Sequence, residues 1–144
     1  QGHVDLRDYR DDSASRGEIV KKPLVYIAAP YTHPDPIANT HRVIAVWKKM
    51  HDAGIDAIVP HLSMLLHLQY PHDVKTWYDY DLNILDHCDA VLRLSGDSLG
   101  ALAETTHAEE VGIPVFFEYS YDSLDIAIAK IVQHFALNPI KDGQ

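Results

Sequence analysis

Two acidic side chains stand out for the company they keep. Glu104 follows Ser95-Gly96-Asp97-Ser98-Leu99-Gly100, a Ser/Gly loop that runs into a helix. Free backbone N–H groups and the helix field at such a start hold an anion. Asp81 lies in Trp77-Tyr78-Asp79-Tyr80-Asp81-Leu82-Asn83, where acids and Asn83 alternate with aromatic rings. Glycosidic cleavage uses two carboxyl groups that reach one cavity from different elements. One attacks the anomeric carbon or steadies its positive charge, and the other handles the leaving group's proton. The rings of Trp77, Tyr78 and Tyr80 offer faces on which a flat base stacks, although at helical spacing some of them belong to the core. The same residues have a plainer reading, with Ser98 as a helix cap and Glu104 as a solvated first-turn acid favoured by the helix dipole.

The elements that must position these groups follow from the apolar pattern. Leu24-Val25-Tyr26-Ile27-Ala28-Ala29 is a short apolar run ending at Pro30, as in a buried parallel strand. A Pro-broken loop, 30–36, leads to a helix that stops at Gly54. Further strands are expected at 56–60, 89–94 and 113–117. Helices are expected at 62–70, 74–88, 101–111 and 122–137. Alternating strands and helices imply right-handed crossovers and a three-layer αβα fold, flavodoxin-like or Rossmann-like, with a parallel sheet of four to five strands. Ligands bind such sheets beyond the carboxyl ends of the strands, which restricts the search to the loops after Pro30, after Pro60, at 95–100 and at 118–121. The domain plan is a flexible leader at 1–22, a single catalytic domain at 23–137 and a tail at 138–144. Gln1-Gly2-His3 reads as the remnant of a cleaved tag.

Composition narrows the partners. The chain of 144 residues carries 12 Lys and Arg against 21 Asp and Glu, a formal charge of −9. With no basic stripe, the counterion release that drives nucleic-acid binding has no source. No apolar run is long enough to span a bilayer, and the charged N-terminus is unlike a signal peptide, so a cytoplasmic protein is expected. The single cysteine, Cys88, excludes an intramolecular disulfide, and its helix-to-strand context suits a buried structural thiol.

Taken together, Asp81-Leu82-Asn83, Asp89 opening a strand, and Ser98-x-Gly100-x-x-x-Glu104 resemble the nucleoside 2-deoxyribosyltransferase family. That family includes the 2′-deoxynucleoside 5′-phosphate N-hydrolases. Val25-Tyr-Ile-Ala-Ala-Pro-Tyr-Thr and Gly112-Ile-Pro-Val-Phe resemble its first and fourth strands, and the likeness covers roughly 24–117. It implies Glu104 as a nucleophile forming a glycosyl-enzyme, and Asp81 as the acid that protonates the departing base. It also implies a substrate-binding set of Ser98, Gly100, Tyr31, Thr32, Asp89 and Asn83, in which Asp89 supports the loops by hydrogen bonding, with Ser120 or Ser123 contributed by a neighbouring subunit of a homodimer or larger homo-oligomer. No cofactor and no metal are implied. Family transferases that act on free nucleosides place an acid at position 98, whereas 5′-monophosphate hydrolases place serine, as here. A hydroxyl accepts a phosphate that an acid would repel. The first loop departs from the phosphate-binding members: it is Pro30-Tyr-Thr-His-Pro-Asp-Pro36, with Tyr31, Thr32 and His33 as donors and Arg42 in the following helix.

The function expected is cleavage of the N-glycosidic bond of a nucleoside or its 5′-monophosphate, with the ribosyl or deoxyribosyl group passing to water or to another base. A non-catalytic nucleotide-binding or sensing module is the alternative, and a phosphoribohydrolase ranks low because 95–100 lacks the paired glycines and Thr that such an enzyme needs. His61, His67 and His72 do not share the i, i+4 spacing of a helical metal site.

Overall fold

The computed structural model describes residues 20–119 and 123–141. Val20–Lys21 (β1) leads to Leu24–Ala28 (β2), Pro36–Asp52 (α1), Asp56–Ile58 (β3), Ser63–Gln69 (α2), Val74–Leu85 (α3), Ala90–Arg93 (β4), Leu99–Val111 (α4), Val115–Phe117 (β5), Leu124–Leu137 (α5) and Ile140–Lys141 (β6). A single 3₁₀ turn, Pro60–Leu62, precedes α2. Four strands form one parallel sheet in the order β3-β2-β4-β5, flanked by helices as the alternating pattern implied. β1 and β6 pair antiparallel as a separate ribbon, which the apolar pattern did not reveal because two-residue strands carry no measurable period.

Alternation along the central strands sorts the two faces. Val25, Ile27, Ala29, Ala90, Leu92 and Leu94 pack with Val43, Val46 and Met50 of α1 and with Ala127, Ile128 and Ile131 of α5. Tyr26, Ala28 and Val91 pack on the other face with Leu85 of α3 and with Ala101 and Ala108 of α4. Successive side chains of a strand point to opposite faces, so β2 contributes its odd positions to one layer and its even positions to the other.

The helices begin where short polar side chains take up free N–H groups. Asp35 accepts from Ile37 N at 2.9 Å, Asp73 from Thr76 N at 2.8 Å and Ser98 from Ala101 N at 3.1 Å. The cap at Ser98 starts α4 at Leu99, so Glu104 stands in the second turn rather than the first. The expected helix at 74–88 ends at Leu85, and a turn carries the chain to Cys88, whose buried thiol is pushed up to about 12 by desolvation and by the Asp89 charge.

The strand order reverses between β2 and β4, and the loops leaving these strands meet at that switch. Gly96 has φ 118°, and a Cβ there would lie 2.8 Å from Pro30 Cγ. Gly96→Ala therefore meets both an unfavourable backbone conformation and a proline ring. We expect it to lose about 1–3 kcal/mol of stability in chemical denaturation, with the cooperative transition retained.

Candidate active site

Glu104 belongs to the inner stripe of α4. Ala101, Glu104, Thr105 and Ala108 are its buried residues, at the i, i+3, i+4, i+7 spacing of one helical face. The alanines let α4 approach the sheet closely, which carries the Glu104 carboxyl under β2, where the residue is only 9% exposed. Asp81 is half-buried on the neighbouring helix α3, which is joined to α4 by Asp86 and His107 at 2.5 Å. Tyr26, fully buried, faces the same layer from the middle of β2. Arg93, two residues beyond Val91 on β4, shares that face by strand alternation.

Electrostatics ties these four side chains together. Burial pushes the Asp81 carboxyl up to about 7. Burial also pushes Glu104 up to about 7. The Tyr26 hydroxyl opposes that shift, the Asp81 charge adds to it, and the Arg93 guanidinium opposes it. The Tyr26 phenol is itself raised, first by burial and then by the Glu104 and Asp81 charges. The Tyr26 hydroxyl thus lies at Glu104 without completing a hydrogen bond of full geometry. Tyr26 Oη, Asp81 Oδ1 and Glu104 Oε2 are all buried and unpartnered. Unsatisfied polar atoms at such depth are rare, and these three gather on one face of the sheet.

The two acids sit in different surroundings. Glu104 has a cation and a hydroxyl that favour its charged form, whereas only desolvation acts on Asp81. A pair that cannot easily carry two negative charges in a low-dielectric site shares one proton. Such a pair can provide a carboxylate nucleophile beside a proton donor.

The other expected residues divide. Ser98 and Gly100 lie at the start of α4, with the Ser98 oxygen taken by Ala101 N and its proton free to donate. Tyr31 and Thr32 lie exposed in the loop after β2. Asp89 is not with them. Its Oδ2 accepts from Leu24 N at 2.8 Å, and its own N–H donates to Leu24 O at 2.7 Å. This fastens the amino ends of β2 and β4, the edge of the sheet opposite the ligand loops. Asn83, two residues from Asp81 on α3, is exposed on another side of the helix. Ser120 lies outside the described residues.

Two surface hollows, of about 410 and 710 Å³, are lined by α3 and α4 and by α1, α2 and α3 respectively, and neither has Asp81 or Glu104 in its wall. Glu104 is buried beneath β2, and Asp81 is half-buried near it. Among the described residues no three His, Cys, Asp or Glu side chains come together as a metal site.

Tyr26 escaped the sequence reading, and His61 entered it only as a metal-ligand candidate. Tyr26 was legible only as part of an apolar run, yet it is the single polar-tipped side chain in that strand, and a buried tyrosine hydroxyl seeks a partner. His61 is buried, and its Nε2 donates to Pro30 O at 2.9 Å. Its pKa is lowered by burial against the opposing pull of that carbonyl. With the ring edge-on to Tyr31 at 5.6 Å, it pins the first loop.

No protein-family model and no curated protein matches the sequence. In structure, the chain is similar to the 2-deoxyribosyltransferase from the psychrotolerant bacterium Bacillus psychrosaccharolyticus, at 18% identity and a TM-score of 0.51, over 82% of this chain and 97% of that one. The two share a fold. No helix among the described residues is long and apolar enough to cross a membrane.

The raised acids make a prediction about stability. A carboxyl whose folded pKa lies above its unfolded value of about 4 stabilises the fold fully only below that value, and the contribution is lost as pH rises through the folded value near 7. Glu104→Gln removes this loss. It is expected to raise the melting temperature above that of the wild type at pH 8, with the difference vanishing toward pH 4.

Proposed function

We propose that this chain cleaves the N-glycosidic bond of a nucleoside or nucleoside 5′-monophosphate, with Glu104 as nucleophile and Asp81 as the acid. The observation that carries this reading is the pair of buried, electrostatically coupled carboxyls in unequal surroundings. The Tyr26 hydroxyl and the Arg93 guanidinium pull Glu104 back toward the charged form that a nucleophile needs, whereas burial alone acts on Asp81 and favours the protonated form that a donor needs.

In the first step a Glu104 carboxylate oxygen forms a bond to C1′ of the sugar as the bond from C1′ to the base nitrogen breaks. Asp81 gives its proton to that nitrogen. In the second step water, or a second base, attacks C1′ and passes a proton to Asp81, and Glu104 leaves as carboxylate. Two inversions leave the configuration unchanged. The Tyr26 hydroxyl and Arg93 hold the charge on Glu104 before attack and receive it again on release. Transfer to a second base is the branch named for the structural neighbour, a 2-deoxyribosyltransferase, and both branches share the first step.

The start of α4 holds the 5′ end of the substrate. Its first N–H groups have no partner within the helix, and the Ser98 hydroxyl proton adds a donor, so a 5′-phosphate or a 5′-hydroxyl is bound by backbone and serine together. Tyr31 and Thr32 line the same entrance from the loop after β2.

We also propose that the chain works as a homo-oligomer. α2 has no buried residue, and Leu65, Leu66 and Leu68 are 57, 48 and 72% exposed. An apolar surface of this kind on a soluble domain marks a contact. Sedimentation equilibrium should show self-association that Leu65→Glu with Leu66→Glu abolishes, and a monomeric wild type would refute it.

The activity test is separation of products from a panel of nucleosides and their 5′-monophosphates, with and without an added free base. The wild type is expected to release base with a rate maximum near pH 7. Below that pH Glu104 becomes protonated, and above it Asp81 has no proton to give. Glu104→Ala should abolish release with the fold intact. Full activity in that variant, or nucleotide binding by the wild type without any base release, would end the enzymatic reading.

A further inference from the structure

Glu118 is a buried carboxylate that the chemistry above leaves without a task. It follows β5 directly and is 4% exposed. Its Oε1 accepts from Ser95 N at 2.9 Å, from Ser95 Oγ at 2.8 Å, and from Arg42 Nη2 of α1 in an ion pair. Arg42 Nη1 donates in turn to Ser95 O at 3.4 Å. The N–H, hydroxyl and carbonyl of Ser95 are thus all engaged by side chains from two elements distant in the chain. The Glu118 backbone N–H donates to Arg93 O at 2.8 Å, so the gripping residue is itself tied to β4 at the point where the loop leaves.

The grip and the acid pair stand on opposite faces of the sheet. Phe116 packs with the α1 and α5 layer, and Glu118, two positions on, points to that side by strand alternation. Glu104 belongs to α4, on the other side. Residues 95–98 cross between them. Gly96, next after the gripped serine, lies against Pro30, and its carbonyl accepts from Arg93 Nη2 at 2.7 Å. Exchanging a buried ion pair for apolar groups of similar shape is often no less stable. What an apolar substitute cannot do is hold three polar groups of one residue in a set orientation.

We propose that Glu118 is a positioning residue for substrate binding: with Arg42 it grips Ser95 from the back of the sheet and so sets the loop 96–98 that receives the substrate's 5′ end. What the loop receives rests on the glycosidase reading above, whereas the grip does not. Because the residue acts on the holding of the 5′ end and touches neither carboxyl of the pair, its removal falls on KM rather than on kcat.

Two measurements test this on the full chain. Backbone hydrogen exchange needs no substrate. In Glu118→Ala the amides of Ser95 and Gly96 should exchange about tenfold faster while those of β2 are unchanged, and Glu118→Gln, which keeps an acceptor for Ser95, should restore most of the protection. Titration with each of the four common 2′-deoxynucleoside 5′-monophosphates, in a Glu104→Ala background that cannot turn over, should show Kd about tenfold higher when Glu118→Ala is added. Base release by the single variant Glu118→Ala should show the loss in KM with kcat within about twofold. Ser95→Ala, which removes one bond without stranding a buried charge, should give a smaller change in the same direction and serves if Glu118→Ala does not fold. Unchanged exchange at Ser95 and Gly96 overturns the grip, and a loss confined to kcat overturns its role in binding. If the wild type binds no nucleotide and releases no base, the glycosidase reading fails, and the exchange measurement still decides the grip.

Discussion

Taking two carboxyl groups out of water on the same side of a sheet is unfavourable, and much of the α3 and α4 layer is arranged around that difficulty. The alanines of α4 bring the helix close to β2, and the closeness desolvates Glu104. Desolvation alone would leave a neutral, inert acid. The Arg93 guanidinium and the Tyr26 hydroxyl pull in the opposite direction, so the group stays near the point of ionisation. Asp81 has no such help, and burial alone raises it to about the same value. The difference between the partners arises from what surrounds them, since both begin as ordinary carboxylic acids.

A second theme is how the loops are held. Pro30 is touched from two directions: His61 Nε2 donates to its carbonyl, and Gly96 packs against its ring. Ser95 is held by Glu118 and Arg42. The loops after β2 and β4 are therefore fastened to each other and to β5 at the place where strand order reverses. Binding groups that are fixed beforehand lose less freedom when a ligand arrives.

The sequence was informative where local pattern is strong. Apolar runs bounded by Pro and Gly located the strands of the sheet to within a few residues, and Ser98 was legible as a helix cap. Glu104 and Asp81 were legible as candidates from their context, and the structure couples them. Tyr26, Arg93 and Glu118 were not, because their roles depend on which residues lie across the sheet, and spacing along one segment does not carry that information. Asp89 does serve by hydrogen bonding, but at the amino ends of the strands and not at the loops. Its place opening a strand already put it at the amino end, and the hydrogen bonds with Leu24 show what it fastens there.

The sheet also works as a partition. Odd-numbered residues of β2 face an aliphatic layer, with the Arg42–Glu118 pair at its loop end, and even-numbered ones face the side that holds Glu104 and Asp81. Val43, Val46, Met50, Ala127 and Ile131 are separated from Glu104 and Asp81 by the sheet. Such a chain can drift in sequence over half of its interior while the chemistry stays sheltered, and a common architecture can outlast recognisable identity between distant sequences.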